Sequence, residues 1–210
     1  MSKKVCGSLL YNRISALCFA VMFVIYALML GIPLHTLIPV LILVLASVIV
    51  PGKVCRSIPL IPLKGLFIDL CGFVAPITAA VTILVCGSLN VPELMLMVSI
   101  STALAILHTY ITKKTVLVNI ARYVTTFLAL SLAILDVERL LFITPFAVVI
   151  GIALGSDLMT YIISYGSNKN GNRGLIIGGY KFLDSIAISF TQTVAALTII
   201  LLIVSFISRY

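Results

Sequence analysis

The sequence predicts an all-α, polytopic membrane protein of about seven transmembrane helices, with its N-terminus cytoplasmic and its C-terminus outside. Composition is the first reason. Hydrophobic residues make up 62% of the 210 and charged residues only 10%, with a mean hydropathy of +1.28. A soluble domain carries about 25% charged residues, so this chain lacks the polar surface to cover a globule in water. The second reason is length: apolar runs near the roughly 20 residues that a bilayer requires recur between turn signals. The third is an alternation of basic and base-poor connections, taken up below.

The elements follow in order. Lys3, Lys4 and Arg13 precede an apolar run longer than the core of a cleaved signal peptide, with no small-x-small site after it. Residues 1–13 are therefore expected to be a basic cytoplasmic N-terminus, and the first span a signal anchor. Predicted spans cover 14–31, 33–50, 66–88, 92–111, 115–135, 140–165 and 175–207. Gly31-Ile32-Pro33 joins the first two so tightly that a re-entrant hairpin is the alternative, but each offers enough apolar residues for a full span. Pro51-Gly52, Asn90-Val91-Pro92 and the glycine- and asparagine-rich stretch 166–174 are turn chemistry. Gly178-Gly179 marks a break near the start of the last segment. The whole chain, 1–210, reads as one membrane domain.

Charge sets the orientation. With the N-terminus inside, the inner segments hold Lys3, Lys4, Arg13, Lys53, Arg56, Lys64, Lys113, Lys114, Lys169 and Arg173, and the outer ones only Arg139 and Arg209. That asymmetry obeys the positive-inside rule and supports a count of seven. The net charge of +8 then reads as topology plus contact with anionic headgroups of the cytoplasmic leaflet. Nucleic acid is not implied. The five cysteines form no CxxC pair, and packing is their expected role. No motif implies a cofactor or a metal.

Ionisable residues inside a membrane mark function by default, because a carboxylate in hydrocarbon is costly. Asp157 and Asp184 stand 13 residues before Asn170 and 13 after Gly171, so two antiparallel helices would bring them to one depth. Asp69, Asn119, Arg122 and Lys181 fall in the same cytoplasmic half, and the expectation is one polar cavity open to that side. The bland alternative is a set of neutral staples, Arg122 with Asp157 and Lys181 with Asp184. His108 reads as interfacial. Gly151 and Gly155 give small-xxx-small spacing, more often helix packing than chemistry.

Three stretches carry a resemblance: Ile68-Asp69-Leu70-Cys71-Gly72-Phe73-Val74-Ala75-Pro76, Gly155-Ser156-Asp157-Leu158, and Gly178-Gly179-Tyr180-Lys181-Phe182-Leu183-Asp184-Ser185-Ile186. Over about 47–197 the chain resembles DUF1614, an uncharacterised family of archaeal and bacterial multi-pass membrane proteins (domain of unknown function 1614). Gly155, Asp157, Leu158, Gly178, Gly179 and Asp184 match the family's pattern. Ser185, Tyr180 and Lys181 depart from its small residues, and Asp69 replaces its usual amide, which makes this a divergent member. The resemblance implies relatives and a multi-pass fold in the cell membrane, and brings no activity with it.

Two chemistries fit paired carboxylates. One is proton- or cation-coupled transport, with Asp157 and Asp184 binding a small ion and Arg122 or Lys181 as counter-charge. The other is an intramembrane aspartyl hydrolase acting on a membrane protein, in which two close carboxyls share a proton. Its layout is similar to presenilin-like and prepilin-type peptidases, but the glycine immediately before aspartate in their GxGD motif is Ser156 here. The third reading is a structural or assembly subunit without chemistry.

Overall fold

Helices carry the apolar runs, and the connections between them divide into two kinds. The computed structural model describes residues 2–49, 57–59, 66–88, 90–111, 116–167, 175–177 and 184–208. Helix α1 (Ser2–Met29) ends where Gly31 adopts φ +70°, a left-handed conformation that glycine takes without a Cβ clash. The Gly31 N–H reaches the Leu28 carbonyl and the Ile32 N–H the Ala27 carbonyl, at 3.0 and 2.9 Å. This is a Schellman closure, with Ile32 buried as its apolar seal. Helix α2 (Leu34–Ile49) follows at once.

Strands β1 (Ser57–Pro59) and β2 (Leu66–Asp69) come next, then a π turn, Leu70–Val74, that leads into α3 (Ala75–Cys86). Pro76 opens α3 at a position where its missing N–H is harmless. Helix α4 (Val91–Leu107) leads to the hairpin of β3 (Thr109–Ile111) and β4 (Val116–Val118), and α5 is Ile120–Ile134. Helix α6 (Val137–Ile152) continues through a π segment, Ala153–Leu158, into α7 (Met159–Ser167). Strand β5 (Leu175–Ile177) precedes α8 (Ser185–Ile207).

Three stretches are long and apolar enough to cross a membrane: Leu10–Met29, Val137–Ile163 and Ser185–Ile207. Leu34–Ile49, Leu70–Cys86, Val91–Leu107 and Ile120–Ile134 are apolar but shorter. At 1.5 Å per residue the 15 residues of α5 reach about 22 Å, short of a hydrocarbon core of about 30 Å. The chain is helical as its composition predicts, and leucines, isoleucines and valines such as Ile49, Val85, Leu107 and Ile203 point outward from the bundle.

The chain is all-α in class, as expected, but short strands stand in connections where the expectation had helix. The segments 66–88, 92–111, 115–135 and 175–207, read as helical throughout, each begin or end in a strand. β1 pairs antiparallel with β2, and β2 pairs parallel with β5, Ile68 opposite Ile177. β3 and β4 pair antiparallel, Thr109 opposite Val118. The reason lies in β-branched composition: Thr109-Tyr110-Ile111 and Val116-Leu117-Val118 bracket Lys113-Lys114, a pattern that suits a pleated pair better than a helix. Among the described residues, every strand lies in the connections α2–α3, α4–α5 and α7–α8. The other connections are short turns, so the bundle has a sheet end and a turn end.

Helix α6 is the axis of the fold. It packs against α3, α4, α5 and α8, and residues such as Leu140, Ile143, Val148 and Ile152 are buried around it. Gly151 and Gly155 lie against α4: a Cβ at Gly151 would collide with Ser101, and one at Gly155 would stand 2.5 Å from the Thr102 carbonyl oxygen and 2.8 Å from Ala105 Cβ. The small-xxx-small stretch is therefore a helix-packing device. On the other flank Phe190 of α8 meets Phe19 and Phe23 of α1, with ring centroids 5.1 and 6.4 Å apart.

Candidate functional site at the sheet end

Sheet pairing gathers the acids. Asp69 ends β2, whose neighbour β5 touches the π segment that carries Asp157. The π turn after Asp69 touches α8, which Asp184 opens. Asp69, Asp157 and Asp184 thus belong to elements packed together at one end of the bundle.

Each acid has a distinct local job. The Asp69 side chain is buried, and its Oδ1 accepts the N–H groups of Cys71 and Gly72 at 2.9 and 2.8 Å. These donors would otherwise be orphaned at the start of the π turn. Asp184 does the same for α8: its Oδ1 accepts the Ile186 N–H at 3.1 Å and the Ser185 hydroxyl at 3.3 Å. Asp136 caps α6 through the Arg139 N–H at 2.9 Å, and Glu93 and Glu138 sit in first helical turns, where the helix dipole favours negative charge. All six acids lie among the described residues, and five of them serve helix N-termini. Asp157 is the exception. It sits inside a helix, within the π segment, half-buried, with its Oδ2 shielded from solvent. Asp69, Asp157 and Asp184 all have further polar or electrostatic partners.

The counting that placed Asp157 and Asp184 symmetrically about the 166–174 loop assumed two helical arms. The second arm contains strand β5, which rises about 3.3 Å per residue against 1.5 Å in a helix. Asp184 consequently starts α8 and does not lie within a span. The acids still share an end of the bundle, brought there by the β2–β5 pairing.

Other candidates resolve as follows. Asn119 caps α5, its Oδ1 accepting the Arg122 N–H at 3.3 Å, and its own N–H donates to the His108 carbonyl at 3.0 Å. The two residues close the base of the β3–β4 hairpin. Arg122 is exposed and forms no ion pair with Asp157, so that staple is not made. Lys181, Gly178 and Gly179 lie outside the described residues. Cys71 is disulfide-bonded, which corrects the expectation of packing alone, whereas Cys18 and Cys86 are free and exposed. A disulfide follows proximity in space, and the CxxC test had no access to that.

Two polar residues on α1 enter the picture without having been singled out for it. Asn12 is buried, and the Arg13 Nε is buried without a hydrogen-bond partner. Arg13 precedes Phe19 by the same six residues that separate Asp184 from Phe190. The phenylalanine contact, with α1 and α8 running the same way in an alternating bundle, sets Arg13 at about the height of Asp184. The signal was present in sequence as an Asn-Arg pair at the head of an apolar run, where it was read as topology only.

At the turn end, Arg139 pairs with Glu93, and its Nε lies 3.4 Å from Asp136 Oδ2. Among the described residues no three His, Cys, Asp or Glu side chains are grouped to hold a metal ion. The acids act as separate carboxylates around one end, each positioned by its own element. No protein-family model, curated protein or solved structure matches the chain.

Proposed function

We propose that the protein is a seven-span carrier, N-terminus inside and C-terminus outside, that couples movement of a small ion to protonation of Asp157. The observation that carries this reading is the division of labour among the acids: five serve helix N-termini, and Asp157 does not. A carboxylate within an apolar helix is costly and needs a reason, and π segments concentrate at functional sites. In this reading Asp157 takes up and releases the proton or ion. Asp184 and Asp69 hold the flanking helices in register and add negative charge, and Arg13 supplies the counter-charge expected earlier of Arg122. The shorter helices complete their crossings with the adjoining turns and by local bilayer thinning. Basic residues cluster in the connections that carry the strands, which supports a cytoplasmic sheet end. A kinship with DUF1614 is part of this proposal, resting on Gly155, Asp157, Leu158, Gly178, Gly179 and Asp184.

The test is flux in proteoliposomes containing the purified chain and a pH-sensitive dye, driven by a pH step under a clamped potential. Proton movement above protein-free vesicles is expected, lost in Asp157→Asn and kept in Arg122→Gln. Flux no greater than that of empty vesicles, or flux indifferent to Asp157→Asn, would overturn the proposal. A structural role is the second reading, favoured by the cap bonds of Asp69 and Asp184. Under it, substitutions at the acids change stability and nothing else.

A further inference from the structure

Helix α8 is the least covered of the three long apolar stretches. It packs against α1, α5 and α6, and Ala187, Phe190, Val194 and Leu197 are buried on its inner side. The other side is open. Gln192, Ile199, Leu202 and Phe206 are exposed there, with Ile188 and Ala195 half-buried beside them. These six residues follow at intervals of four, three, four, three and four, the 3.5-residue period of a seam between two helices. A face turned to lipid keeps the same period, so spacing alone decides nothing.

Gln192 decides it. It is the only glutamine in the chain. As the eighth residue of α8 it lies about 10 Å beyond the helix start, at 1.5 Å per residue, too deep for its short side chain to reach the headgroups. Exposed hydroxyls satisfy themselves: Ser99, Thr125 and Ser205 donate to carbonyls of their own helices at 2.8–2.9 Å. An amide cannot do so fully, because it brings an acceptor as well as two donors, and the N–H groups of a helix interior are already used. Among the described residues Gln192 has no hydrogen-bond partner. Hydrocarbon offers none, and a bare amide there is costly.

The occupant that fits this face is a second copy of the chain. All copies insert the same way, so a two-fold axis along the membrane normal sets α8 parallel to its own image, each seam residue against itself. Such a face must be uncharged and self-complementary. Helix α8 carries no charged residue from Ser185 to Ile207, and an amide both donates to and accepts from its twin. Ala195, about one turn on, lets the two backbones approach. We infer that the protein is a homodimer in the membrane, joined along α8 by paired Gln192 amides with the apolar seam residues packed on either side. The interface needs only that α8 crosses the bilayer and is independent of what Asp157 carries.

Energy transfer between donor- and acceptor-labelled full-length chains in liposomes, over a range of protein-to-lipid ratios, tests it. A dimer is expected, weakened about tenfold by Gln192→Leu, as the loss of an interhelical hydrogen bond in a membrane requires. A monomer at every ratio, or a dimer indifferent to Gln192→Leu, would overturn the inference. In excess detergent the single copy's Tm should not fall in Gln192→Leu. A fall would mean that the amide serves its own bundle, and would overturn the dimer as well. Ile199→Cys, in a background with Cys18 and Cys86 replaced by alanine, gives a second measurement in cell membranes. Oxidation should join it to its own image and yield a product of twice the mass, which Ile42→Cys on the exposed side of α2 should not. A product of another mass would put a different protein on this face, and no product would leave it to lipid. Either result overturns the second copy.

Discussion

The Tyr26 hydroxyl donates to the Leu141 carbonyl at 2.6 Å, and Leu141 is the residue whose helical partner four positions on is Pro145. A proline has no N–H to offer, so its presence orphans that carbonyl in the middle of an apolar bundle. Tyr26, wholly buried on α1, supplies the missing donor and ties α1 to the central helix. The pairing explains how a proline is tolerated inside α6. Tyr26→Phe is expected to lower stability by about 1–3 kcal/mol, the cost of leaving a buried acceptor unmade. In a Pro145→Ala background the same change should cost less, because residue 145 then donates to Leu141 itself. Unfolding of the four proteins in mixed micelles, read as a double-mutant cycle, checks the coupling. Additive effects would mean that Tyr26 acts through packing alone.

The two glycines of α6 and the π segment offer a sharper steric test. Gly151 and Gly155 are pressed against Ser101, Thr102 and Ala105, so an added methyl must push α4 away. Gly155→Ala is expected to destabilise by about 1–3 kcal/mol, as overpacking of a close interface does. At Gly31 a Cβ would meet nothing within 4 Å, and the penalty comes from the φ of +70°. Gly31→Ala should therefore cost about 1–2 kcal/mol through the backbone alone. Gly155→Ala is expected to loosen α4 from α6 and raise hydrogen exchange in α4. Gly31→Ala should leave that exchange unchanged.

Capping predicts a difference among the acids that no charge argument gives. Asn keeps a side-chain oxygen for the Ile186 N–H, so Asp184→Asn should stay near the parent's stability. Asp184→Ala should lose about 0.5–2 kcal/mol, as N-cap removals do. The same contrast is expected at Asp69. At Asp157, which lies inside the helix and is not the N-cap of its segment, capping gives no ground for such a contrast.

Much of this was legible in the chain. Helical runs and their turns follow from hydropathy and from glycine and proline punctuation, and the Gly151–Gly155 spacing announced close packing before any coordinate. The strands were hidden because Leu66-Phe67-Ile68 and Leu175-Ile176-Ile177 are as apolar as the helices beside them, and periodicity cannot separate short apolar runs. That oversight misplaced Asp184 within its segment, since a strand and a helix cover different lengths. The acids were singled out by the cost of a carboxylate in hydrocarbon alone. Their caps needed backbone geometry, which a sequence does not contain, and Arg13 was spent on topology when its buried Nε belongs to the same polar end.

Orientation and the Cys71 disulfide constrain one another, and together they give the last prediction. In the proposed orientation, which rests on the positive-inside charge pattern, the sheet end with Cys71 at its π turn faces the cytoplasm. Disulfides are rare there, outside hyperthermophiles, because thiols are held reduced. The expectation is that a reporter active only outside the cell works when fused after Tyr210 and fails when inserted at Asn170. Acid-quenched cells should then yield Cys71 as a thiol, alkylated by maleimide, with the disulfide forming after exposure to air. A bond intact in quenched cells together with a silent C-terminal reporter would invert the orientation and move Asp157 to the outer face. A bond intact with the reporter active outside would leave the orientation standing and mark the host as one whose cytoplasm tolerates structural disulfides. In both cases the reporter fixes which compartment the sheet end and Asp157 face, so it also decides from which side the pH step in the flux assay must be applied.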